Sequence, residues 1–189
     1  MRMLWKYYIW LRRCRHSRGF GIQSPTDYAF VRYVINEHWP YYAYSELKSQ
    51  LPNVSSALRK NAELYFRIAN WLQPDITLLI TEHYSLYEKY VRRGCRKTNV
   101  FNTADSLAGH DSPGLFIFGN NADFGLVSRV IADCDVSSVL VVEDIYSSNK
   151  LLWHDIASDE HVTISYDLYY LGIAMFDKTR YKTNYKINF

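Results

Sequence analysis

The sequence predicts an α/β fold in which a mostly parallel sheet is covered by helices on both faces. Residues 76–81, 114–118 and 138–142 are short runs rich in Ile, Leu, Val and Phe, which is typical of fully buried strands. Helical patterns follow each run, and strands that alternate with helices favour a parallel sheet. A chain of 189 residues can form one such core together with an extension.

The elements before the first strand are predicted from capping signals and spacing. Ser24-Pro25-Thr26-Asp27 is a capping box with proline at the first helical position, and it predicts a helix to about His38. A connector with up to one helical turn is predicted over 40–54. Apolar residues at spacings of three and four predict a helix from Ser56 to Trp71. We therefore divide the chain into a basic N-terminal helical extension, residues 1–54, and an α/β domain, residues 55–189.

The remaining elements follow from the same signals. Ser85 opens a second capping box and Gly94 ends the helix that it starts. Helices are predicted at 85–93, 123–133 and 148–157, and further strands at 98–102, 162–166, 171–176 and 185–189.

The turn after the first strand has no glycine, and the chain has none between Gly21 and Gly94. In a nucleotide-binding α/β domain this turn is rich in glycine, because the backbone adopts positive φ and approaches the ligand closely. Glu82, His83 and Tyr84 occupy the turn here. Their side chains are expected to obstruct the usual cofactor position.

Composition excludes several classes of protein. The net charge of +3 is too small to imply a polyanionic partner by itself. Three cysteines, widely spaced and without a CxxC pair, argue against a zinc site or a disulfide framework. We find no signal peptide or membrane span, and we expect a cytoplasmic protein.

The N-terminal segment combines basic and aromatic residues. It could form an amphipathic helix that binds nucleic acid or an anionic membrane surface through residues 2–18. The interpretation we favour is a helix that packs its aromatic side on the domain and leaves its charges in water. The basic residues are Arg2, Lys6, Arg12, Arg13, Arg15 and Arg18.

Polar residues follow each predicted parallel strand, where ligands bind in such sheets. Glu82 and His83 are a candidate catalytic pair, since a histidine beside a carboxylate can act as a general base. We favour the alternative of an acid at a helix N-terminus beside a surface histidine. Asn120 and Asn121 are expected to cap the next helix.

Glu143 and Asp144 follow the strand at 138–142. Two carboxylates bind Mg²⁺ or Ca²⁺ weakly, and Asp144 is a further catalytic candidate. The interpretation we favour is that both acids stand ahead of the helix that begins near Ser148.

Several segments carry a resemblance to a known family. Residues 19–25, Gly-Phe-Gly-Ile-Gln-Ser-Pro, are similar to a Gly-His-Gly-Val-His-Ser-Pro signature, and residues 116–121 to Phe-Ile-Asp-Gly-Asn-His. Residues 141–146 are similar to a segment that contains Ile-Asp-Asp-Ile-His, and residues 166–173 to a closing hairpin. Together they resemble a bacterial, small-molecule O-methyltransferase-like branch of the class I S-adenosylmethionine-dependent methyltransferases. The resemblance implies a Rossmann-like methyltransferase fold whose hairpin places an antiparallel strand at the sheet edge.

The departures from that family suggest a degenerate member. Its first motif, Glu-Ile-Gly-Thr-x-x-Gly, corresponds to residues 79–85, which lack both glycines and the leading acid. Only 32 residues, 82–113, separate the first strand from the central one, where the family has two strand–helix units of about 30 residues each. We therefore expect a shortened first half. The resemblance implies a degraded cofactor site made of Thr81, Glu82, Tyr84, Asn120 and Asn121.

The resemblance also bears on the acid pair. Related catechol-type enzymes hold a divalent cation at the positions of Glu143 and Asp144, with a third ligand from the fourth strand. Phe118 occupies the position of that third ligand here. We therefore expect no metal at this pair.

Three functions remain open on the sequence. The first is a pseudoenzyme that binds no cofactor and acts by binding an unknown protein or small molecule. The second is an active methyltransferase that uses S-adenosylmethionine on an unknown small molecule. The third is a polyanion- or membrane-binding module, and a homodimer could cover the strand edge that a deleted unit exposes.

Overall fold

The structure is a computed structural model that describes residues 2–16, 19–103 and 114–189, with side chains from residue 8 onward. Its helices are α1 (Arg2–Arg13), α2 (Pro25–Phe30), α3 (Tyr42–Gln50), α4 (Ser56–Leu72), α5 (Tyr84–Gly94), α6 (Phe124–Asp133) and α7 (Lys150–Ser158), with a 3₁₀ turn at Cys14–His16 and a π-helix at Val31–Ile35. Its strands are β1 (Ile76–Ile80), β2 (Asn99–Phe101), β3 (Gly114–Phe118), β4 (Val139–Glu143), β5 (Ile164–Asp167), β6 (Leu171–Met175) and β7 (Thr183–Lys186).

The described strands form one sheet in the order β2-β1-β3-β4-β6-β5-β7. The first four in this order run parallel, β6 runs antiparallel to both of its neighbours, and β7 pairs parallel with β5. The mostly parallel α/β sheet with a C-terminal antiparallel hairpin is confirmed. The antiparallel strand does not lie at the sheet edge, however, because β6 is inserted between β4 and β5. The edge is formed by β7, which pairs with the outer side of β5.

The first half of the sheet is short, as predicted. On the far side of β1, the described residues supply a single strand, β2, which is three residues long. The winding direction reverses between β1 and β3, because the chain leaves β1 to form β2 on one side and then returns to form β3 on the other.

The sheet separates two apolar cores. Val139 and Val141 of β4 belong to the core beneath α4 and α5, whereas Leu140 and Val142 belong to the core beneath α6 and α7. Because side chains alternate between the faces of a strand, Glu143 continues the first row and points toward α4 and α5. Gly94 lets α5 approach α4 closely, since a Cβ there would lie 2.3 Å from the carbonyl oxygen of Phe66.

The N-terminal elements differ from their predicted bounds. The helix that Ser24 caps becomes a π-helix and ends at Ile35, before the predicted His38. Arg67 donates to the carbonyl oxygens of Val34 (2.6 Å) and Ile35 (3.2 Å), which fixes the end of this helix. The connector at 40–54 holds a nine-residue helix rather than one turn, and Leu47 buries it against the core.

The buried carboxylate of Asp27 attaches α2 to strands β5 and β7. Asp27 is 1% exposed, and its carboxylate accepts hydrogen bonds from the hydroxyls of Tyr166 (2.7 Å) and Tyr185 (3.0 Å). Arg180 completes the cluster with an ion pair to Asp27 and a hydrogen bond to Ser24 Oγ. The division of the chain at residue 54 stays a prediction.

None of the helices in the described part of the chain has the length and apolarity to span a lipid bilayer.

Candidate functional site

The turn after β1 is built without glycine-like backbone. Thr81, Glu82 and His83 form it, and none of them has a positive φ. His83 stands at the N-cap of α5 with φ −97°, and its N–H donates to Thr81 Oγ1 at 3.2 Å. The chain therefore passes from strand to helix in a conformation that side chains tolerate.

Thr81 packs against Gly119 at the place where β1 and β3 end. The N–H of Gly119 donates to the carbonyl oxygen of Ile80 at 2.8 Å, so the two chain segments stay paired beyond the strands. A Cβ on Gly119 would lie 2.8 Å from Thr81 Oγ1 and 3.0 Å from Thr81 Cβ. The glycine thus accommodates Thr81 at the place where the winding of the sheet reverses.

Glu82, His83 and Asn120 meet at the rim of the crevice between the ends of β1 and β3. Glu82 Oε1 lies 3.6 Å from His83 Nε2 and 3.4 Å from Asn120 Nδ2. The Glu82 side chain is 68% exposed, so its ion pair with His83 contributes little to stability. The structure brings together two of the predicted catalytic residues and one predicted cofactor residue, and the role of each stays a prediction.

Glu143 is the buried acid of the site. It is 7% exposed, and its Oε1 accepts hydrogen bonds from Asn61 Nδ2 (3.1 Å), Tyr65 OH (2.7 Å) and Tyr87 OH (2.8 Å). We expected Glu143 to stand ahead of α7. Instead, its position in β4 directs its side chain toward α4 and α5. The three partners were missed in the sequence, where both tyrosines have the spacing of ordinary core aromatic residues.

The tyrosines act as donors in this cluster. Burial, and next the charge of Glu143, raises the pKa of Tyr65 well above its usual value and raises the pKa of Tyr87 in the same way. Both hydroxyls therefore keep their protons at neutral pH. The His83 ring packs edge-on against Tyr87 with centroids 5.8 Å apart, which places the rim next to the buried cluster.

Several buried tyrosines make stability sensitive to alkali. Burial raises the pKa of Tyr44 from 10.0 to about 12, and it raises the pKa of Tyr65 and Tyr166 as well. Above pH 10 the unfolded chain loses protons that the folded chain keeps, so the free energy of unfolding falls as the pH rises toward 12.

We expect urea midpoints that are constant up to about pH 10 and fall above it, with the part of the tyrosinate absorbance that comes from the buried tyrosines appearing only as the protein unfolds. Tyr44→Phe should make the fall shallower, whereas a Phe replacement of the exposed Tyr181 should not. Equal midpoints at about pH 9 and about pH 11 would contradict this expectation.

Asp144 faces away from Glu143. It adopts φ 56°, and its Oδ2 accepts a hydrogen bond from the N–H of Ser148 at 3.0 Å, so it braces the turn before α7. Across the described part of the chain, no group of three or more His, Cys, Asp and Glu side chains converges to hold a metal ion.

Asn149 ties the neighbouring turns together. Its Nδ2 donates to the carbonyl oxygens of Gly119 and Glu143, both at 2.8 Å, and its Oδ1 accepts from the N–H of Ala122 at 3.0 Å. The side chain of Asp123 caps α6 by accepting from Leu126 N, so the predicted capping role of Asn120 and Asn121 is wrong. Asn121 instead adopts φ 53° and donates its N–H to Ser148 Oγ at 3.3 Å.

Arg13 anchors the N-terminal helix at the same edge of the sheet. Its Nη2 lies 2.9 Å from both carboxylate oxygens of Asp167 and 3.0 Å from Tyr146 OH, and its Nη1 donates to the Asp167 carbonyl oxygen at 3.0 Å. Tyr146 OH donates to Asp167 Oδ2 at 2.7 Å. We call these contacts among Arg13, Tyr146 and Asp167 the clasp. Because β5 runs in the same direction as β4, the clasp and Glu143 both lie at the carboxyl edge of the sheet.

The orientation of α1 differs from the interpretation we favoured. Trp10 is 56% exposed, while the charged Arg13 is buried. In the described side chains of α1, a charge rather than an aromatic face makes the main contact with the domain. Trp5, Tyr7 and the basic residues Arg2, Lys6 and Arg18 lie outside the described side chains.

No family model matches the chain, and no curated protein matches it in sequence. Among solved structures, cofactor-bound Rv0187 from MTB is similar, with a TM-score of 0.50 and 11% sequence identity over 73% of this chain and 91% of that chain. At this identity the likeness shows the fold alone. The fold is the Rossmann-like methyltransferase fold that the sequence resemblance implied.

Proposed function

We propose that this protein is a non-catalytic member of the methyltransferase-like fold and that it acts by binding a partner or a small ligand. The observation that carries the proposal is the packing of Thr81 against Gly119 in the crevice between β1 and β3. In this class of fold, cofactors bind at that crevice and against bare backbone. A threonine side chain in van der Waals contact with the facing strand leaves little room for one.

The fixed position of Thr81 supports the proposal. Its hydroxyl accepts the hydrogen bond from the His83 N–H, so rotation away from Gly119 would leave the first turn of α5 without that contact. The backbone on both sides is also held, because Gly119 pairs with Ile80 and with Asn149. A cofactor would have to displace a braced turn rather than a mobile loop.

The end of β3 supports it as well. Phe118 is fully buried in the core beneath α6 and α7, so the position offers no polar atom to a metal or a cofactor. The buried acid at the end of the neighbouring strand β4, Glu143, accepts hydrogen bonds from three side chains of its own chain.

An active S-adenosylmethionine-dependent methyltransferase is the second candidate. The observation that favours it is the rim at the carboxyl edge of the sheet, where Glu82 lies at ion-pair distance from His83 (3.6 Å) and accepts a hydrogen bond from Asn120 (3.4 Å). A histidine held beside a carboxylate could remove a proton from a methyl acceptor.

A thermal melt with S-adenosylmethionine and S-adenosylhomocysteine tests the proposal. A ligand at a hundredfold excess over its Kd stabilises a protein by about 2.7 kcal/mol, which a melt detects easily. We expect no shift of Tm at millimolar concentrations of either compound, because Thr81 packs against Gly119 in the crevice. Thr81→Gly serves as the matched variant, with the exposed Thr179→Gly as its control.

A saturable rise of Tm with either compound in the unmodified protein would defeat the proposal and favour the methyltransferase. A response of Thr81→Gly alone would support the steric argument directly. Should the unmodified protein respond, loss of methyl transfer in His83→Gln with binding retained would identify the proton acceptor.

A further inference from the structure

We propose that Glu143 is the anchor of a binding site for an organic ammonium ion, a ligand whose protonated amine donates to the free side of the carboxylate. The inference rests on the proposed function, because it names the class of small ligand that the protein would bind. It is carried by an imbalance in the contacts of Glu143.

The two oxygens of the carboxylate are used unequally. Oε1 accepts all three hydrogen bonds that Glu143 receives from the described residues, and Oε2 accepts none of them. Oε2 is not sealed in the interior either. Within the described residues, Asn36 Nδ2 is the one fully enclosed side-chain nitrogen or oxygen that has no hydrogen-bond partner. Oε2 therefore has some contact with solvent, although Glu143 as a whole is only 7% exposed.

No cation among the described residues forms an ion pair with Glu143. Asn61, Tyr65 and Tyr87 are neutral donors, and none of the ion pairs among the described residues includes Glu143. The nearby Lys60 lies over the ring of Phe189, with Nζ 4.0 Å from the ring centroid. Buried carboxylates in proteins are ordinarily paired with a cation, so a cation from outside the chain would complete the site.

An ammonium ion fits better than a metal ion. Mg²⁺ and Ca²⁺ require several oxygen ligands, whereas the neighbouring hydroxyls already donate to Oε1 and Asp144 is bound to the turn before α7. An ammonium group needs acceptors only, and it has three N–H bonds to share among Oε2 and water. The bare carboxylate oxygen meets that requirement.

The rim would guide such a ligand to the site. Glu82 stands beside His83, whose ring contacts Tyr87, so a second carboxylate marks the approach to Glu143. Two acids along one path attract a cation and repel an anion.

The test compares phenethylamine with 2-phenylethanol, which has the same ring and chain but no charge. We expect the amine to raise Tm in a saturable way at up to about 10 mM, and the alcohol to leave it unchanged. In Glu143→Gln we expect at least about a tenfold weaker effect of the amine.

Glu160→Gln is the matched control, since it removes an exposed carboxylate away from the site and should bind the amine unchanged. Equal responses to amine and alcohol, or equal amine binding by Glu143→Gln and the unmodified protein, would overturn the inference. The comparison of amine and alcohol needs no variant, so it decides the question even where Glu143→Gln does not fold. S-adenosylmethionine is measured in parallel. A rise of Tm with S-adenosylmethionine would contradict the proposed function, whereas an unchanged Tm with both the amine and S-adenosylmethionine would contradict this inference alone.

Discussion

Asp27→Ala is expected to lower the free energy of unfolding by about 3–5 kcal/mol, the largest effect of any substitution considered. The Asp27 carboxylate is enclosed between Tyr166, Tyr185 and Arg180. Its removal leaves a guanidinium group and two tyrosine hydroxyls without their acceptor. Because these partners lie on or beside β5 and β7, a local rearrangement of α2 cannot relieve the loss.

Urea denaturation followed by circular dichroism measures the effect. Tyr185→Phe removes one hydrogen bond and leaves the ion pair intact, so we expect a loss of only about 1 kcal/mol. Asp75→Ala is the matched surface control, because the pair of Asp75 with Lys97 is exposed and should contribute less than about 1 kcal/mol. A loss for Asp27→Ala no greater than that of Asp75→Ala would show that the buried cluster does not hold the N-terminal segment.

Asp167→Ala is expected to have the second largest effect, about 2–3 kcal/mol. Asp167 accepts hydrogen bonds from Arg13, from Tyr146 and from the N–H of Tyr169. The loss should be smaller than for Asp27, because α1 can detach and return Arg13 to water. Detachment limits the cost to the docking energy of one helix.

Limited proteolysis distinguishes detachment from global unfolding. In Asp167→Ala, cleavage within residues 8–16 should become faster while the sheet stays protected. A double-mutant cycle with Arg13→Ala measures the coupling between the two side chains, and the second substitution should cost little once the first is present. Unchanged cleavage, or additive effects in the cycle, would mean that the clasp does not secure α1.

The strand and helix order was predictable because it depends on local signals. Apolar runs gave β1, β3 and β4, and apolar residues at spacings of three and four gave α4. Boundaries that depend on a distant side chain were not predictable. The early end of the second helix is an example, since it depends on Arg67, which lies more than thirty residues later in the chain.

The candidate site was only partly predictable for the same reason. Rossmann-type sheets place ligands after their strands, which led to Glu82, His83 and Glu143. The direction of Glu143 could have been deduced from its strand, because it shares the parity of Val139 and Val141. Its partners could not, because the hydroxyl groups of Tyr65 and Tyr87 reveal their role only when α4 and α5 pack together. Arg13 likewise differs from its neighbouring arginines only through the position of Asp167.

The contacts of Asp27 can form only late in synthesis on the ribosome, because its partners lie far along the chain. Tyr166 follows Asp27 by 139 residues and Tyr185 follows it by 158. Until those residues emerge, the carboxylate remains hydrated and the early helices can contact only α4, through residues such as Arg67. The nascent chain must therefore carry its first helices unattached to the sheet until late in translation, a stage at which chaperones have access to them.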